Sequence, residues 1–279
     1  MKLTYNILWV DNDRGIYEHH KDDILEHLKN LGFEPKIEFL DDYQSFIDAK
    51  LNLNNYDIFI LDYKLKLGQD GNEIIKIIRE DNYTEIIFYS GVPDQARKQI
   101  FDDKSNGIYI TSRDFIQFEE DVIGLINITI KKVQDVNNLR GLIMAEVAEL
   151  DRIKERIIIK YANKNKCGTL EKYIIKTVTM SNEDNTKKVV KYTDSHINEI
   201  IDKLRLDSDK KARTVQKADD SFSESTYRKE ILKIRNKFAH IEEKDNMIGD
   251  IEFTEEKCIQ IRKSIKEYKS ILEDIEQKI

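Results

Sequence analysis

The 279-residue chain carries only two cysteines, Cys167 and Cys258, far apart in sequence and outside any CxxC pair. That leaves no basis for a disulfide framework or a cysteine-type structural zinc site, and both read as ordinary buried thiols. Apolar runs are short as well. None reaches the roughly 18 residues that a bilayer span needs, so no membrane partner is expected. The opening MKLTYNILWVDND meets acids directly after a brief apolar run, unlike a secretory signal, and a cytoplasmic location is expected. No helix-turn-helix signature with a basic recognition helix occurs, so no DNA partner is expected and a transcription factor is the weakest reading. What remains is 40% hydrophobic and 35% charged, the composition of a globular protein. At this length two domains are expected, each able to bury its own core.

Charge divides the chain. Residues 1–135 hold 26 acids against 16 bases, a net of −10, whereas residues 136–279 hold 27 against 30, a net of +3. An acidic first half disfavours nucleic acid there, and a mildly basic second half permits it. Pattern divides the chain at the same place. Through residues 5–132, the β-rich runs YNILWV, PKIEFL, YDIFIL, EIIFYS and GIYIT alternate with segments of helical spacing: DDILEHLKNLGF, YQSFIDAKL, GNEIIKIIRE, QARKQIFDDK and DFIQFEEDVIGLINITIKKV. Five βα units predict an α/β domain over 1–134, a doubly wound five-stranded parallel sheet whose sites lie at the carboxyl ends of the strands. Asp11 and Asp13 then follow the first strand, Asp62 ends the third and Ser90 ends the fourth. Carboxylates gathered there repel one another and invite a hard cation such as Mg²⁺ at Asp11, Asp13 and Asp62, beside which Asp62 could act as a nucleophile toward a phosphoryl donor.

The order ILWVDND, YDIFILDYKL, IIFYSG, GIYIT resembles the response-regulator receiver family over residues 4–133. The resemblance implies a flavodoxin-like fold and two-component signalling. It makes Asp62 the phosphoacceptor, Asp11 and its neighbour the metal-binding acids, Ser90 the hydroxyl that senses the phosphoryl group and Tyr109 the aromatic switch. A histidine kinase or other phosphoryl donor would be the partner. Two positions depart from the family pattern: Asn12 stands where a second acid is usual, and Ser112, with Arg113 beside it, stands where a lysine is usual. Arginine does not replace lysine by default, because its planar fork aims charge differently.

After residue 135, helical periods dominate. Leu139, Ile143, Val147, Leu150, Ile153 and Ile157 predict a helix over 137–161. Residues 163–194 read as an excursion, 196–206 as a helix and DSDKKARTVQKADD (207–220) as a loop. Ser221 and Glu224 offer a capping box, and Cys258 through Ile279 repeat at 3,4 spacing as a terminal helix with one apolar seam, suited to a bundle or to a second subunit.

Within ILKIRNKFAHIEE, Arg235 lies five residues before His240. With 12 Arg and 5 His, chance gives that spacing about 0.2 times, and RGIYEH at Arg14 to His19 matches it equally, so spacing alone proves nothing. Context separates the two. Ile231, Ile234, Phe238 and Ile241 mark a buried face, while Asn236 and His240 are i,i+4 neighbours on another, flanked by Arg235. In a homodimer, two Arg and two His would form a cationic cleft for a phosphodiester, with His240 as general base or acid and no metal required. The form RNxxAH in an all-helical domain resembles the HEPN superfamily (higher eukaryotes and prokaryotes nucleotide-binding). For an all-α HEPN-like bundle over 135–279, the resemblance implies a metal-independent endoribonuclease with catalytic Arg235, Asn236 and His240. Such dimeric enzymes leave 2′,3′-cyclic phosphates and occur in stress and antiviral defence; some members bind without cutting. Two functions are therefore expected, a receiver-regulated ribonuclease acting on RNA or a non-catalytic signalling adaptor.

Overall fold

The computed structural model describes residues 3–65, 71–102, 106–133, 136–165, 206–239, 247–248, 251–252 and 254–279. The chain forms two compact units, Met1–Asp135 and Val136–Ile279.

In the first unit, strands β1 (Thr4–Val10), β2 (Glu34–Leu40), β3 (Ile58–Asp62), β4 (Ile86–Ser90) and β5 (Ile108–Ser112) form one sheet of order β2-β1-β3-β4-β5. Every pairing is parallel. Helices α1 (Arg14–Asn30), α2 (Tyr43–Asp48), α3 (Gly71–Asp81), α4 (Pro93–Asp102) and α5 (Phe115–Val133) connect or follow them. This is the flavodoxin-like order, and the doubly wound expectation holds. All five residues of β3 and of β4 are buried, as a parallel sheet covered on both faces requires. Period-2 alternation sorts the core into two layers. Ile7, Trp9, Ile60 and Tyr89 pack with Ile24, Leu28, Phe118 and Val122 of α1 and α5. Leu8, Val10, Leu61 and Phe88 pack with Phe46, Ile74, Ile78 and Ala96 of the other three helices.

Helix α1 starts eight residues earlier than the DDILEHLKNLGF segment suggested. Asp13 caps it by accepting from Gly15 N at 3.0 Å, and its buried stripe Ile16, His20, Ile24, Leu28 keeps i,i+4 spacing but places a histidine where the eye looks for an apolar residue. Gly32, at φ 84°, turns the chain out of α1 in a conformation that strains any side chain.

The second unit is helical. Helix α6 (Val136–Asn165) buries all six residues of the 139–157 stripe. It packs against α7 (Ser208–Ala218) and against α10 (Glu255–Lys278), whose seam from Cys258 to Ile275 is also buried. Helix α7 corrects the loop expected at 207–220. Asp207 accepts from Lys210 N at 2.8 Å, and the buried face is Ser208, Ala212 and Val215, small residues that hydrophobic periodicity underweights. The cap expected at Ser221 falls instead on Ser223, which accepts from Thr226 N at 3.4 Å and starts α8 (Glu224–Tyr227), while the Ser221 hydroxyl donates to Asp219. A π turn, Arg228–Leu232, then leads into α9 (Lys233–Ala239), so the helix carrying RNKFA is not a uniform α-helix. Its wider turn lets adjacent Ile231 and Leu232 both reach the core. The unit is not wholly α-helical, because Met247–Ile248 (β6) pairs antiparallel with Ile251–Glu252 (β7). Residues 166–194, the helix expected at 196–206 apart from Leu206, Ile241 and Cys167 lie outside the described residues.

Candidate functional site

The parallel sheet changes winding direction between β1 and β3, and there the carboxyl ends of the strands open a crevice. Asp11, one residue beyond β1, and Asp62, the last of β3, meet in it and are 0% and 1% exposed. Each is held by its neighbours. Asp11 Oδ1 accepts from Asp13 N at 2.8 Å, and its Oδ2 accepts from the Tyr89 hydroxyl, which in turn receives the Trp9 indole N–H at 3.0 Å. Asp62 lies against Gly71, where a Cβ would stand 2.2 Å from the Asp62 carbonyl oxygen and 2.7 Å from the Phe88 ring. Only glycine fits there, and Gly71 N–H donates to Tyr63 O at 2.8 Å.

The facing charge comes from Arg113. Its Nη2 lies 2.7 Å from Asp62 Oδ2 and 3.7 Å from Asp11 Oδ1, and the guanidinium lies 5.8 Å from the centre of the Tyr89 ring. Burial pushes the Asp62 carboxyl up to about 7, and the neighbouring Asp11 pushes it the same way, while Arg113 opposes both. Asp11 is raised by burial too, against the hydrogen bond from Tyr89. For Arg113, burial works against the charge, but the carboxylates of Asp62 and Asp11 outweigh it and hold the guanidinium above its ordinary value.

The other expected site residues divide. Ser90 is buried at the carboxyl end of β4, the strand paired with β3, with its Oγ accepting from Val92 N at 3.0 Å. Tyr109 is 41% exposed and lines a cavity of about 260 Å³ with Ile87, Leu125 and Ile128, away from the two carboxylates. Ser112 accepts from Asp114 N at 3.2 Å in the turn between β5 and α5, and Asp114 then caps α5 by accepting from Gln117 N at 3.0 Å. Asp13 is exposed and is used as the α1 cap. Asn12 keeps its Oδ1 buried without a hydrogen-bond partner.

The donor set therefore does not fit Mg²⁺ in the way expected from Asp11, Asp13 and Asp62. Among the described residues no group of three His, Cys, Asp or Glu side chains is placed to hold a metal, and Arg113 stands between the two acids that do converge. In the sequence Arg113 reads only as an inexact lysine; its position directly after β5, at the same sheet end as Asp62, is the signal that places it in the crevice. Tyr89 was missed, although strand parity shows it: it pairs in register with Asp62 and turns its side chain to the Trp9 layer.

In the second unit, Arg235 of α9 is half-buried with its Nε lacking a hydrogen-bond partner, and Asn236 is exposed. His240 lies outside the described residues. Arg140 of α6 donates to Ala239 O at 3.4 Å, which adds a guanidinium at the end of α9 that the motif alone did not reveal. Nearby, Lys154 is fully buried and bonds Asp151 at 2.7 Å and the Tyr227 hydroxyl at 3.0 Å. Burial pushes this ammonium down to about 8, the Arg235 charge adding to the effect and Asp151 resisting it.

No protein-family model matches the chain, and no curated protein does. Among solved structures, full-length FixJ from B. japonicum is similar at 15% identity, covering 77% of this chain and 97% of that one, with a TM-score of 0.35. A likeness at that level adds nothing to what the sheet order itself establishes. Among the described residues no helix is long and apolar enough to cross a membrane.

Proposed function

We propose that the chain is a cytoplasmic signalling protein in which the acidic crevice of the first unit governs a metal-independent, HEPN-type endoribonuclease in the second. The observation that supports it best is the pair of buried carboxylates at the β1/β3 switch point, with Ser90 buried at the same end of the neighbouring strand β4. Asp62 is the receiving group. Its carboxylate oxygen attacks the phosphorus of a phosphohistidine donor such as a histidine kinase, the P–N bond breaks, and the leaving imidazole takes up a proton from water. Tyr109, on the exposed outer surface of β5, reports the change to whatever contacts that surface.

In the helical unit Arg235 holds the non-bridging oxygens of an RNA phosphodiester. His240 removes the 2′-hydroxyl proton, the 2′-oxygen attacks phosphorus, and the P–O5′ bond breaks with protonation of the departing oxygen, leaving a 2′,3′-cyclic phosphate. Asn236, exposed one residue on, orients the ribose. A homodimer brings two such sets together, and the resemblance to the HEPN superfamily suggests a role in stress or antiviral defence.

Two assays test this. A phosphohistidine donor or acetyl phosphate should add one phosphoryl group to the wild type and none to Asp62→Asn, as read by intact mass. Incubation of the phosphorylated protein with total RNA should give cyclic-phosphate ends, reduced at least about 100-fold by His240→Ala or Arg235→Ala. The adaptor reading is favoured by a specific feature, the Arg113 contact with Asp62 together with Asn12 in place of an acid. It expects unchanged mass and intact RNA.

A further inference from the structure

We propose that Arg113 is the resident cation of the acidic crevice, filling the place between Asp11 and Asp62 that a divalent metal ion would otherwise take, so that the pocket works without one. The geometry is that of a bridge. One nitrogen, Nη2, lies 2.7 Å from Asp62 Oδ2 and 3.7 Å from Asp11 Oδ1, and both carboxylates are buried. Two such groups in one dry site repel each other unless a positive charge stands between them.

Nothing else among the described side chains supplies that charge or a third metal ligand. Asp13 is turned outward as the α1 cap, and residue 12 is a neutral asparagine. The guanidinium is also held in place. It lies by the Tyr89 ring, and the Tyr89 hydroxyl fixes Asp11 from the other side. A guanidinium stays charged at any physiological pH, so the neutralisation is permanent, whereas a bound ion would come and go with its concentration. A divalent cation could enter only by displacing Arg113. The inference does not depend on phosphorylation of Asp62, and a chain that takes up no phosphoryl group would still pass or fail the test below.

Trp9 provides the readout. It is the single tryptophan of the chain, and its indole N–H reaches Asp11 through the Tyr89 hydroxyl. The full-length protein would be titrated with Mg²⁺ and Mn²⁺, following tryptophan fluorescence and, in parallel, binding heat. The variants are Arg113→Met, Arg113→Gln and Arg113→Met combined with Asp62→Asn. Far-UV circular dichroism decides which single Arg113 variant keeps the native melt and is used.

The expected result is a wild type that gives no response into the millimolar range and an Arg113 variant that binds Mn²⁺ at least about tenfold more tightly. Adding Asp62→Asn should remove the gain. The proposal is overturned if the wild type binds either ion within about threefold of the Arg113 variant, or if the folded Arg113 variant is as unresponsive as the wild type. A wild type that alone shows a saturable, submillimolar Mg²⁺ response at Trp9 overturns it without any variant.

Discussion

Asp62 is a carboxylate whose surroundings favour its neutral form despite the arginine that touches it, and this has a consequence for stability. Its folded proton affinity corresponds to about 7, against about 3.9 in an unfolded chain. Folding therefore takes up a proton between those values. The cost of the charged group is absent below about pH 4, grows as pH rises through the window and is complete above about pH 7. Its ceiling is ~4 kcal/mol, at ~1.4 kcal/mol per tenfold change in proton affinity. Asp62→Asn never carries the charge. Its melting temperature, followed at Trp9, should exceed that of the wild type by a margin that widens from pH 4.5 to pH 8 by at least about 5 °C. A constant margin would show that burial does not dominate at this carboxylate. At this scale the sequence was legible where strand ends set the position, as for Asp11, Asp62 and Ser90. It was illegible where a loop side chain turns back into the sheet, because no periodicity governs the direction in which Arg113 points.

Among elements, the strands were readable because β3 and β4 are buried on both faces and so are written almost entirely in Ile, Phe, Leu and Tyr. Helix α7 was hidden for the opposite reason. Its buried face uses Ser208, Ala212 and Val215 between lysines and an arginine, which reads as a polar loop until its contacts with α6 are seen. Such a helix gains little from its own apolar area, so its cap carries a larger share of its stability. Replacing Asp207 by Ala should cost about 1 kcal/mol and lower the melting temperature of the second unit by about 3 °C, measured by circular dichroism. The pairing of Arg156 with Glu276 at 2.8 and 3.0 Å ties α6 to α10, but Arg156 is about half exposed, so salt and solvent reduce its contribution to well under that of the cap. The π turn before α9 could not be read from ILKIRNKFAH, since its wider spacing looks like an ordinary helix with one extra apolar residue.

For the whole molecule, two units with separate cores and charges of opposite sign share one chain. Their sole tryptophan lies in the first, while both contribute helix to the circular dichroism signal. Heating should therefore give a fluorescence midpoint that differs from the dichroism midpoint by more than about 3 °C, since separate cores need not melt together. Coincident midpoints would mean that the units unfold as one. Within the first unit the sheet ends in two unlike strands. The margin at β2 carries Glu34, Pro35, Lys36 and Glu38, and a proline together with charges of both signs discourages a further strand from docking. The margin at β5 reads IYITS, with neither proline nor charge, and its outer backbone groups have no neighbouring strand among the described residues. Clumping of partly melted protein should accordingly start along β5, where one copy can stitch itself to the next.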